Sequence, residues 1–241
     1  MSATPAQRPE RAFFTAMAFL AAAAVILGFA PSFYLKGALP LSRPVLPLTP
    51  LVVLHGVLFT GWILLFITQV LLVARGKIAL HRSLGMAGAG LAVAMVAVGV
   101  TTALYGAARG SGPPGNEPLA FLVIPFFSLA TFAVMIAAGL LNRRDPGAHK
   151  RYMLLATIGI LDAAIARWPF ALMRNGPPAF FAIEDLYILA LVAYDFLRLG
   201  RVHRATIIGG LFVVAMEPLA LVTSTTATWH AFAAWAVGLV K

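Results

Sequence analysis

Cysteine is absent from all 241 residues. That excludes disulfides, thiolate metal ligands, iron–sulfur clusters and the C-x-x-C-H attachment of covalent haem. Acidic residues are scarce, with eight Asp and Glu against eighteen Lys and Arg. Charged residues of both signs make up 11% of the chain, whereas soluble domains carry about 25%, so an ordinary soluble globule is excluded. The lysines are Lys36, Lys77, Lys150 and Lys241, all outside the apolar blocks, which excludes a retinal Schiff base within a bundle. The sequence has no Walker loop, glycine-rich dinucleotide fingerprint or G-x-S-x-G elbow, and no His-x-x-x-His or Glu-x-x-His pair.

What the chain does have is apolar length: 61% of it is hydrophobic, arranged in blocks rather than in alternation. About 18 or more apolar residues match the roughly 30 Å hydrocarbon core of a bilayer, and short alternating strands, the mark of a barrel, are missing. The expected fold is an all-α polytopic membrane protein, a seven-transmembrane-helix bundle forming one domain over 1–241. Its spans fall at about 13–30, 51–74, 84–106, 118–141, 152–173, 179–197 and 205–223. The tail 228–240 is expected to lie as a short interfacial helix, because Trp229 and Trp235 suit the headgroup zone; extension of the seventh helix is the alternative. The N-terminus resembles a signal peptide in outline, but six further spans follow it, and it is expected to remain as the first helix.

A formal charge of +10 would raise nucleic acid as a partner in a soluble protein. Here the cations sit in short loops between apolar blocks, so topology accounts for them and the partner is the lipid bilayer. Arg8, Arg11, Arg75, Lys77, Arg82, Arg143, Arg144, Lys150, Arg151, Arg198, Arg201 and Arg204 fall on one side. Lys36, Arg43, Arg109, Arg174 and Lys241 fall on the other, with Arg167 inside a span. Under the positive-inside rule the N-terminus is cytoplasmic and the C-terminus periplasmic, in a bacterial cytoplasmic (inner) membrane.

Several residues are costly to place in lipid. His55, Phe59, Trp62, Phe66 and Gln69 recur at spacings of four and three, so they share one helix face. That stripe reads either as helix packing with interhelical hydrogen bonds or as the wall of a ligand site. Asp162 and Arg167 lie in the fifth span, Glu184 and Asp185 open the sixth, and Glu217, followed by Pro218, lies in the middle of the seventh. An unpaired Asp or Arg in a bilayer costs at least about 2.5–3.5 kcal/mol. These groups are therefore expected to form one polar cluster, either functional or structural.

Three loops on the cation-rich side, "LHRSLG", "AHKRYM" and "VHRAT", each place a histidine beside a cation just before a helix: His81, His149 and His203. Anchoring of helix ends at headgroups is one reading. The other is ligation, because two histidines on facing helices hold haem b without cysteine. His55 with His230 is the candidate outer pair, and His81, His149 and His203 supply the inner one. A transition metal held by His and carboxylates is the neighbouring idea.

"LHGVLFTGWILLFITQ", "LHRSLG" and "HKRYMLLATIGILDAAIARWP" resemble a group of bacterial multi-pass membrane proteins of unknown function with HRxxG and HKRxM loop motifs. The resemblance covers roughly residues 50–240 and implies a multi-helix inner-membrane protein. A fainter likeness to cytochrome b561-type haem proteins rests on histidines at both membrane faces. The expected function is therefore membrane electron transfer or redox chemistry, with haem b or a metal held by His55 and an inner histidine and a quinone or redox partner. The competing classes are a small-solute or proton-coupled transporter and a structural or assembly subunit; the oligomeric state is left open.

Overall fold

A computed structural model describes residues 7–41, 46–112 and 117–240. Arg43 and Lys241, two of the cations counted for orientation, lie outside the described residues. The described residues form helices and no β-strand beyond an isolated bridge between Lys36 and Leu39.

Helix α1 (Gln7–Phe29) runs into a π-helical turn, Ala30–Tyr34, at Pro31. Helices α2 (Pro50–Ala74) and α3 (Ile78–Ala108) follow, separated by a turn with Gly76 at φ +71°. Helix α4 (Pro118–Phe121) continues through Leu122 into α5 (Val123–Leu141). Then come α6 (Pro146–Ile158), α7 (Asp162–Ile165) and a 3₁₀ turn, Ala171–Asn175. Helices α8 (Pro177–Leu199), α9 (Arg204–Ser224) and α10 (Ala227–Gly238) complete the chain.

Local chemistry explains these boundaries. Proline opens α2, α4, α6 and α8, where its missing N–H is not needed. Glu117, Asp145, His203 and Thr226 cap α4, α6, α9 and α10 by accepting backbone N–H groups. Gly200, left-handed at φ +67°, ends α8.

Five helical stretches are long and apolar enough to cross a membrane: Arg8–Tyr34, Pro50–Ala74, Ile78–Ala108, Pro118–Leu141 and Arg204–Ser224. The other two expected spans look different. Residues 152–173 are not one helix, because the ladder that begins at Pro146 stops at Ile158. Leu161 N–H then donates to Ile158 O, at 2.8 Å, instead of continuing the four-residue pattern. The break falls at Gly159–Leu161, ahead of Pro169. Helix α8 is continuous over 23 residues but carries Glu184, Asp185, Asp195 and Arg198 among its apolar residues.

Two of the three histidine loops also differ from expectation. Because α3 starts at Ile78 and α6 at Pro146, His81 and His149 sit inside first turns rather than ahead of them. His203 alone precedes its helix. The tail forms a helix separate from α9, divided from it at Thr225–Thr226. Trp229 is buried and its indole N–H donates to Leu119 O at 2.8 Å, while Trp235 faces outward.

The core is apolar and tight, with Phe132, Met95, Leu154, Leu155 and Ile158 fully buried. The outer faces are apolar too: Leu64, Val93, Leu211 and Val222 all point away from the bundle. A helix bundle with apolar residues outside as well as inside is solvated by lipid tails rather than by water. Helix α5 packs on α3, α6 and α9, and α1 packs on α2 and α7. At the α1–α7 contact a Cβ on Gly28 would lie 2.1 Å from Ala164 O, so the backbones meet where only glycine fits.

Candidate functional site: carboxylates at a broken helix

The break after α6 gathers chemistry. Asp162 opens α7, and its carboxylate accepts from Ser128 Oγ (2.7 Å) and from the Ala163 N–H (2.6 Å). With the helix interrupted, the Asp162 N–H is released from the ladder beside the Glu184 carboxylate. Glu184, Asp162, Asp185 and Glu217 are close enough to interact electrostatically. Asp162 is 4% exposed, Glu184 3% and Glu217 9%, so three of the four acids are withdrawn from the surface.

Glu184 Oε2, Glu217 Oε1 and Asp185 Oδ1 are buried atoms without a hydrogen-bond partner. Glu184 and Glu217 line a cavity of about 20 Å³ together with Ser128, Thr131, Gly159 and Met216. That volume holds about one water molecule. Gly159 makes room for it, since a Cβ there would sit 2.8 Å from Thr131 Cγ2. Pro218 lies within α9 directly after Glu217, and proline withdraws one N–H from the ladder there.

The structure therefore brings together Asp162, Glu184, Asp185 and Glu217 as expected, and adds Ser128 and Thr131 of α5. Those hydroxyls were missed because a lone Ser or Thr in an apolar span usually bonds its own helix; Ile124 O, 2.9 Å from Ser128 Oγ, is the alternative acceptor for its single hydrogen. Arg167 is an electrostatic neighbour of Asp162. Its guanidinium also stacks over the Phe29 ring at 4.7 Å and donates to Ala163 O.

The α2 stripe faces inward, with Trp62 and Phe66 buried. Trp62 Nε1 donates to Thr157 Oγ1 at 3.2 Å, in the last turn before the break. His55 stacks on Phe59 at 4.1 Å and neighbours Arg167. His230 instead meets Ser224 O at 2.9 Å and Glu117 at 3.6 Å. The two outer histidines thus have different partners. Gln69 donates to His81 O at 3.2 Å. His81 and His149 approach each other, with ring centroids 6.2 Å apart.

At the same end of the bundle as His149, Arg151 corrects the reading of a loop cation. It is 2% exposed and ion-paired with Asp195, its Nε lying 3.0 and 3.1 Å from the two carboxylate oxygens. The Asp195 carboxylate also accepts from Thr206 Oγ1 (2.5 Å) and the His203 N–H (3.1 Å). Burial, and then the nearby Arg151 charge, hold the His203 imidazole below its usual proton affinity.

Compared with known protein families, curated proteins and solved structures, the chain finds no match.

Proposed function

We propose that this chain is a proton- or cation-coupled carrier of the bacterial cytoplasmic membrane. In this reading it crosses the bilayer seven times, with a cytoplasmic N-terminus and a periplasmic C-terminus. The broken stretch α6–α7 is the fifth crossing, α8 the sixth, and α10 lies in the outer interface. One observation carries the reading: Glu184 and Glu217, both buried, present partnerless oxygens to a cavity of about 20 Å³. Four neighbouring carboxylates with Arg167 at one edge leave an excess of negative charge. In an apolar surrounding an unpaired carboxylate costs several kcal/mol or more, so the site is stable when it holds a proton or a small cation. Discontinuous helices around an ion site are the recurring device of secondary transporters.

The cavity suits a coupling ion and is too small for an organic solute. Proton flux into proteoliposomes under an imposed potential, read with a pH-sensitive dye, tests the proposal. Glu184→Gln and Glu217→Gln should each abolish flux while the protein remains folded. Equal flux in wild type and both variants would sink it, and loss of folding or of a co-purifying subunit in the variants would favour the assembly-subunit class.

A membrane redox protein holding haem b or a metal, serving a quinone or another redox partner, is the second reading. It is favoured by the approach of His81 to His149. A Soret band that shifts on reduction of the purified protein would support it, and a colourless, metal-free sample from haem-replete cells would remove it.

A further inference from the structure

His81 and His149 come from first turns of different helices, α3 and α6, and meet at the cation-rich end of the bundle. Their ring centroids are 6.2 Å apart and the ring planes are nearly perpendicular, at 84°. No hydrogen bond joins one ring to the other; the His149 ring is anchored on main chain. His149 Nδ1 lies 2.8 Å from Gly139 O, and only a protonated nitrogen can bond to a carbonyl, so Nε2 carries the lone pair. The His81 ring lies beside the Gln69 backbone, and its Nδ1 is buried without a partner. Gln69 grips the other side of the same residue, donating from its side chain to His81 O, and its own Oε1 is buried and partnerless.

His149, with one N–H tied to a backbone carbonyl, has the arrangement that presents histidine to a metal, and His81 brings an unpartnered buried nitrogen. Metal–imidazole nitrogen bonds of about 2.0–2.1 Å place two ring centroids roughly 5–6.5 Å apart, depending on the angle at the ion. The observed separation falls within that window. Neighbouring cations do not oppose occupancy strongly: Arg82 is exposed to solvent, and Lys150 is paired with Glu10 at 2.6 Å.

We propose that His81 and His149 form a two-imidazole site for a single transition-metal ion of the zinc and copper class. Imidazole nitrogen is a ligand that such ions favour. The site shares no residue with the carboxylate cluster, so its failure would leave the carrier reading untouched.

The test uses full-length protein without a histidine tag, in detergent, dialysed against Zn²⁺ and then analysed for metal. One zinc per chain is expected in wild type, with a zinc-dependent rise in the unfolding temperature. His81→Ala and His149→Ala should each lose both the zinc and the temperature rise, and His230→Ala should keep them. Because an alanine variant can fail for reasons of folding, His149→Gln, which keeps an amide donor toward Gly139 O, serves as a second loss-of-metal variant with the anchor retained. Wild type without zinc, or zinc retained in both His81→Ala and His149→Ala, overturns the proposal. A haem Soret band lost in the same two variants would also overturn it, by assigning the pair to porphyrin iron.

Discussion

The molecule solves the problem of buried charge in two opposite ways. At the cation-rich end, Asp195 is saturated by Arg151, Thr206 Oγ1 and the His203 N–H. Around the α6–α7 break, Glu184 and Glu217 keep partnerless oxygens beside a cavity. A carboxylate with every acceptor position used holds helices together and has nothing left to offer a ligand. One with an unused oxygen in an apolar place is costly to keep and available to a proton or cation. The difference separates a clamp from a candidate site, although each draws a buried acid, Asp195 or Glu184, from α8.

The largest expected effect breaks the clamp. Arg151→Met leaves Asp195 buried without its cation and should destabilise the protein by about 3–5 kcal/mol. Denaturation in detergent should show this, and Arg151→Met with Asp195→Leu should recover much of it, since a well-packed apolar replacement is often neutral.

Next in size, Gly28→Ala forces a methyl group against Ala164 O. It should cost about 1–3 kcal/mol by overpacking and move α7, so any ion-dependent stabilisation of the carboxylate site should fall with it in the same thermal series.

Glu217→Gln sharpens the contrast, since it removes a charge that no side chain satisfies. Stability should change by less than about 1 kcal/mol, as for substitutions that break no buried pair. A loss as large as that of Arg151→Met would show that Glu217 is structural.

The smallest effect is a pH dependence at His203. Its Nδ1 accepts the Ala205 N–H at 3.1 Å, and its proton affinity is lowered by burial and by Arg151. The neutral ring is therefore the native form. Its contribution is complete above the unfolded histidine value of about 6.5 and is lost as pH falls from there toward the lower folded value. His203→Asn keeps a capping side chain and should flatten that part of the curve of unfolding temperature against pH.

Much of the architecture was legible in the chain. Long apolar blocks can only be helices when lipid surrounds them, because each backbone group must be satisfied within its own segment. Five stretches answer to that rule directly. The stretch 152–173 did not, because hydropathy sums over a window and is blind to where the ladder stops. The break lies at Gly159–Leu161, where no proline marks it. Arg151 was counted with the loop cations, because only the start of α6 at Pro146 turns it inward toward Asp195, 44 positions away in the sequence.

By itself the sequence determined the class of object, an all-helical chain with apolar spans, no thiol chemistry and a few ionisable residues in lipid-like surroundings. These follow from composition and local periodicity, which need no knowledge of neighbours. The tertiary structure alone decided which acids are paired and which are not, and that His81 meets His149 while His55 and His230 keep separate partners. A side chain's partner is set by which helices pack and at what depth. That information belongs to pairs of distant segments and is written in neither of them alone.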